Sequence, residues 1–267
     1  MRTHDCDPTF NDSQVLRFCQ HGFMMLKGVV PKEINERTFE FLENHPSREP
    51  AEILEQEWFV NHVILNHQVT GAVRSLLGKD FRLTMPMMAN HRVLCPQTAL
   101  GGWHRDGSSM YDPQLDSLQV FYYPQDTPIE MGPTEVVPGS HNFFALPHYM
   151  RHYGSIRGSV STTAPAGSIF ITIYSIWHRR TASTAAGIRN LLKYWYIRTT
   201  PPTRDWIKEP GFNIAQVHHA KEECPYAREG HRARDDAAGI FHWLCGRHDE
   251  CLAGKNNLPV YYIDGFS

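Results

Sequence analysis

The chain predicts a mainly β fold with flanking α-helices, built around a double-sheet jelly roll. Three observations carry this expectation. Short runs rich in β-branched and aromatic residues recur after residue 81: Leu118 to Tyr123, Thr134 to Val137, Ser159 to Thr163, Ile169 to Trp177 and Asn190 to Thr199. Gly and Pro turns separate them, among them Pro138-Gly139-Ser140-His141. Helical periodicity, by contrast, is concentrated before residue 80. Many short strands with such turns fit a jelly roll, and a jelly roll keeps a ligand-sized mouth between its sheets.

Taken in order, residues 12 to 22 read as a helix capped by Asn11 or Asp12, with Val15, Leu16, Phe18 and Cys19 on its apolar face and Gly22 at its end. Phe23 to Val30 reads as a strand, and Pro31 opens a helix to about His45. Pro46 and Pro50 mark a loop, and Trp58 to His62 suits a lid. Val69 to Leu77 is helical and stops at Gly78. Phe81 to Leu94 is dense in apolar residues, as one doubly buried strand would be, and Ala99 to Gly102 is a flexible approach to Trp103 and His104.

With 267 residues the chain suits one domain: a helical support layer over 1–80, a jelly-roll core over 81–200 and an extension over 201–267 that packs on the core. The formal charge of -2 gives no reason to expect nucleic acid or a membrane surface as partner. The six cysteines are too thinly spread for a disulfide framework, and neither a signal peptide nor a bilayer-length apolar run is present, so reduced thiols in the cytoplasm are expected. Oligomeric state is not legible.

The chemistry is concentrated in Trp103-His104-Arg105-Asp106 and in His178. Residues two apart on an extended strand share a face, so His104 and Asp106 can reach one ion. Two imidazoles and one carboxylate on one face of an octahedron leave the other face open, the arrangement of Fe(II) sites that bind a cosubstrate and O₂. A turn of small residues, Thr181 to Gly187, returns Arg189 beside His178. A guanidinium there can grip a carboxylate through two parallel hydrogen bonds, which suits a dicarboxylate cosubstrate held on iron at its other end.

These residues resemble the phytanoyl-CoA dioxygenase family of Fe(II)/2-oxoglutarate oxygenases. The resemblance rests on His104-Arg105-Asp106, on the run Asp116 to Tyr123, on Met131 to His141 with its Pro-Gly-Ser-His turn, and on His178 followed eleven residues later by Arg189. It covers roughly residues 85 to 200 and implies a double-stranded β-helix, cupin-like core. It also implies iron on His104, Asp106 and His178, with 2-oxoglutarate on iron and Arg189. Tyr122 sits where the family commonly places an aromatic against the cosubstrate, a plain core aromatic being the other reading. Arg180 replaces a small hydroxyl residue common in the family; it reaches a carboxylate or points to solvent. His91 touches the cosubstrate or is a satisfied core histidine. Asp106 occupies the position that halogenating relatives leave to chloride, which points to hydroxylation, desaturation or a related oxidation.

The substrate is expected to be a small organic molecule, with residues 46–67, 108–114 and 143–158 setting specificity. Two other readings stand beside this one. A cupin-like protein could bind a small ligand without catalysis. Alternatively, His242, Cys245, His248 and Cys251, with His218, His219, Cys224 and His231 nearby, could hold a structural zinc, or the same segment could be a helix packed through Phe241, Trp243, Leu244 and Cys245.

Overall fold

A computed structural model describes residues 3–84, 89–107, 112–142, 150–214 and 237–247. Helix α1, Asp12–His21, opens with a capping box between Asn11 and Gln14 and ends at Gly22, whose φ of 74° is the left-handed conformation glycine tolerates best. Strand β1 is Phe23–Leu26, shorter than its apolar run because the chain turns at Gly28 (φ 62°). Helix α2, Lys32–Asn44, starts behind Pro31. The short helix α3, Glu57–Phe59, continues as a π-turn over Val60–Ile64. Phe59, Val63 and Ile64 are buried in the main core, so this stretch is part of the packing and not a lid. Helix α4, His67–Leu77, is capped by Asn66.

The β half holds β2 (Arg82–Leu83), β3 (Ala89–Asn90), β4 (Val93–Cys95), β5 (Ser117–Tyr123), β6 (Thr134–Val136), β7 (Val160–Ser161), β8 (Ser168–Ile173), β9 (His178–Arg180), β10 (Gly187–Arg189) and β11 (Leu192–Ile197). The expected single strand from Phe81 to Leu94 is instead β2, β3 and β4, which pair with different partners: β2 and β3 with β11, β4 with β10. The large sheet runs β1-β8-β5-β11-β2, with β3 also on β11; the smaller sheets are β7-β6-β9 and β10-β4.

Alternation along the large sheet divides its work. Leu118, Val120 and Tyr122 of β5, Ile169, Ile171 and Ile173 of β8, and Leu192, Tyr194 and Tyr196 of β11 join the core that α1, α2 and α4 cover. The other face carries Gln119, Phe121, Tyr123, Phe170 and Lys193, with Phe121 stacked on Phe170 at 4.4 Å. The helix over 237–244 buries Ile240, Phe241, Trp243 and Leu244 in the main core, with the Trp206 and Phe241 rings 5.5 Å apart. His218, His219, Cys224, His231, His248 and Cys251 of the zinc reading lie outside the described residues.

Candidate metal centre

His104 and His178 face each other across an antiparallel bridge in which each backbone N–H donates to the other's carbonyl, at 3.0 and 2.8 Å. Their flanking residues lock the two segments reciprocally. The Arg179 guanidinium lies over the Trp103 ring at 4.3 Å, and that of Arg105 over Trp177 at 4.7 Å. Arg179 is also paired with Glu135 at 2.8 Å. The Pro-Gly-Ser-His turn holds both partners of one pair: the Ser140 carbonyl accepts from Arg105 at 3.1 Å and its hydroxyl from the Trp177 N–H at 2.8 Å. His141 in turn bonds the Cys19 carbonyl at 2.9 Å, fastening the turn to α1. On the approach, a Cβ at Gly101 would lie 3.1 Å from the Arg180 nitrogen, so a side chain there would crowd the ligand bridge.

With the backbone so fixed, His104, Asp106 and His178 bring three ligand atoms within 4.8 Å of one another. His178 Nε2 lies 3.5 Å from Asp106 Oδ2, and His104 Nε2 lies 4.0 Å from Asp106 Oδ1. The Nδ1 atoms face backbone carbonyls, that of Gly102 at 2.9 Å for His104 and that of Ile176 at 3.1 Å for His178. Those contacts place the imidazole proton on Nδ1 and leave the Nε2 lone pairs turned toward the carboxylate, as metal-ligating histidines require. Burial first, and then the neighbouring His104, holds His178 down at about 4, so its ring is neutral and able to ligate at neutral pH. For Asp106, burial pushes the pKa up, but Lys193, His178 and the hydrogen bonds from Lys193 and Gln119 outweigh it and hold the carboxyl at about 2.

Lys193 is a site residue that sequence reasoning does not single out. Its ammonium bonds Asp106 Oδ2 from β11, and Gln119 Nε2 donates to the same oxygen from β5 at 2.8 Å. Arg189 is 2% exposed, and its Nη1 donates to the Gly132 carbonyl at 2.6 Å. Among the described residues no carboxylate pairs with it and its Nε has no partner. A buried guanidinium without an acid is what a dicarboxylate ligand would complete. Burial first lowers the Arg189 pKa, with Tyr123 opposing and Arg180 adding to the effect, which sets both beside it.

Arg180 donates to the carbonyls of Thr181 at 3.0 Å and Ala99 at 2.6 Å. His91 is exposed, and its carbonyl faces Arg189 Nη2 at 3.5 Å. Tyr122 requires a correction. Its hydroxyl donates to Asn35 Oδ1 of α2 at 2.7 Å and its ring packs near Phe59, on the helix-covered face. The neighbouring Tyr123 stands on the site face, its hydroxyl accepting from the Thr134 N–H at 2.9 Å. One residue along a strand changes the face, and the β5 aromatic near Arg189 is Tyr123.

The model of the family described as phytanoyl-CoA dioxygenase (PhyH) matches residues 28–191. No curated protein sequence matches the chain. Solved structures share the fold at low identity. HygX from Streptomyces hygroscopicus, with nickel and 2-oxoglutarate bound, is 18% identical with a TM-score of 0.59, over 74% of this chain and 90% of HygX. EctD from S. alaskensis with bound Fe is 15% identical with a TM-score of 0.58, over 79% and 89%. SnoN, a non-heme alpha-ketoglutarate-dependent epimerase from nogalamycin biosynthesis, is 14% identical with a TM-score of 0.56, over 71% and 83%. With the family's residues gathered on a jelly-roll scaffold, the chain belongs to the phytanoyl-CoA dioxygenase family of iron- and 2-oxoglutarate-dependent oxygenases.

Proposed function

We propose that this protein oxidises a small organic metabolite by hydroxylation, desaturation or a related C–H oxidation, using Fe(II), 2-oxoglutarate and O₂. One observation carries the reading: three ligand atoms converge within 4.8 Å, and a buried arginine without an acid partner stands on the same barrel. His104 and His178 would hold the metal through Nε2 and Asp106 through its carboxylate. Bound iron with 2-oxoglutarate supplies the activation of O₂ that amino-acid side chains cannot. Arg189 would take the far carboxylate of the cosubstrate, with Tyr123 beside it and Arg180 and His91 as further contacts. The backbone bridge and the Nδ1 contacts keep both imidazoles oriented, so little reorganisation accompanies loading.

Two neighbours support a specialised small-molecule substrate: HygX has been solved with hygromycin B bound, and SnoN is described from nogalamycin biosynthesis. We take the chain as one oxygenase domain, since a single core cluster draws side chains from Phe10 to Leu244. The thiols of Cys6, Cys19 and Cys95, which form no disulfide among the described residues, agree with a reducing compartment such as the cytoplasm. No described helix is long and apolar enough to cross a membrane. The test is iron uptake together with succinate formation from 2-oxoglutarate. His104→Ala and Asp106→Ala should each reduce both to background while the circular dichroism stays native; full turnover in either variant would end the proposal.

A further inference from the structure

The large sheet presents one buried cation to the ligand group. Lys193 rises from the middle of β11, is 5% exposed, and bonds Asp106 Oδ2. Its Nζ lies 5.4 Å from the Phe121 ring centre and 5.3 Å from that of Trp195. Gln119, fully buried directly across from Trp195, shares the same carboxylate oxygen through its amide N–H. Its Oε1 and the Trp195 Nε1 are buried without a partner among the described residues. Tyr174 extends the aromatic wall, 6.2 Å from Trp195.

Asp106, once it ligates a metal, no longer compensates Lys193 by itself, and a buried ammonium without a counter-charge is unfavourable. Among the described residues Lys193 pairs with no acid other than Asp106, and the unpartnered Trp195 donor beside it is suited to an acceptor oxygen. We propose that Lys193, with Trp195 and Gln119, receives a carboxylate of the substrate, so that the protein oxidises a small organic acid whose body lies against Phe121, Trp195 and Tyr174. The Gln119 oxygen would take a hydroxyl or N–H next to that carboxylate. This inference rests on the iron and 2-oxoglutarate reading above.

Matched acid and amide probes test it by binding alone: benzoate against benzamide, and phenylacetate against phenylacetamide. Each is titrated calorimetrically into protein saturated with Ni(II) and 2-oxoglutarate. Wild type should bind the acids at least about tenfold more tightly than the amides, one charge-assisted contact's worth of discrimination. Lys193→Met should erase that preference, and Lys193→Arg should keep it. Equal binding of acid and amide by wild type overturns the proposal, as does an unchanged preference in Lys193→Met. Failure of wild type to take up nickel and 2-oxoglutarate, seen before any acid is added, would sink the parent reading and this proposal with it.

Discussion

Two carboxylates in this protein, Asp12 and Asp106, are paired with cations inside the fold and are held below the usual carboxylate range, yet they do different things. Asp12 has no exposed side-chain surface and every direction around it is taken: Arg204 Nε and Nη2 donate at 2.8 and 2.6 Å, Trp206 Nε1 at 2.8 Å and the Glu209 N–H at 2.7 Å. Asp106 keeps 22% of its side chain open and has both donors, Lys193 and Gln119, on Oδ2. Two imidazole nitrogens look at it from 3.5 and 4.0 Å. The first acid is finished by protein; the second is arranged for something that is not protein. Two buried arginines repeat the contrast, since Arg179 is paired with Glu135 while Arg189 has no acid among the described residues. Incomplete satisfaction, more than burial or charge, separates function from structure here.

Substitutions can break that distinction. The largest effect is expected at Arg189. Arg189→Met should weaken 2-oxoglutarate binding by about a hundredfold in nickel-loaded protein while leaving the melting temperature nearly unchanged, because a charge-assisted pair contributes several kcal/mol to binding. A variant that binds 2-oxoglutarate as wild type does would return Arg189 to the structural class. At Asp12 the prediction reverses: Asp12→Asn should cost about 3 kcal/mol of stability, since Arg204 then lacks its counter-charge, with no change in cosubstrate affinity. The pH profile sharpens this. A depressed pKa stabilises the fold above the unfolded value of about 3.9, and that contribution is lost as pH falls through the lower folded value. Urea midpoints measured from pH 6 to pH 3 should therefore fall more steeply for wild type than for Asp12→Asn; parallel curves would refute the assignment. The smallest effect is at Tyr122, where loss of the hydroxyl in Tyr122→Phe should cost about 1 kcal/mol by leaving Asn35 Oδ1 unpartnered. A raised KM for 2-oxoglutarate in that variant would place it back at the site.

Legibility in the sequence divides along the same line. His104 and Asp106 share parity on an extended segment, and His178 and Arg189 come with spacing and a turn, so the convergence of His104, Asp106 and His178 is legible. The strands β5, β8 and β11 announce themselves through β-branched and aromatic runs. Tyr122 is easily misplaced because an apolar run buried on both faces hides its own parity; the polar Gln119 within Ser117–Tyr123 is the available signal, since it marks 119, 121 and 123 as the site face. Lys193 carries a similar signal, a charge inside an aromatic strand, in register with Phe121. The segment Trp58 to His62 suggests a lid because the prolines before it and the π-turn obscure the helical period that buries Phe59 and Val63. The long apolar run after Phe81 gives no warning that three short strands leave it for two different sheets.

The exchanged stacking of Arg179 on Trp103 and Arg105 on Trp177 makes the two histidine segments mechanically inseparable. A chimera that imports the His-x-Asp segment of another oxygenase without the matching residues around the distal histidine would bring every ligand and still misalign them. Four flanking side chains, none of them among the three converging ligand groups, therefore define the smallest portable unit of this centre.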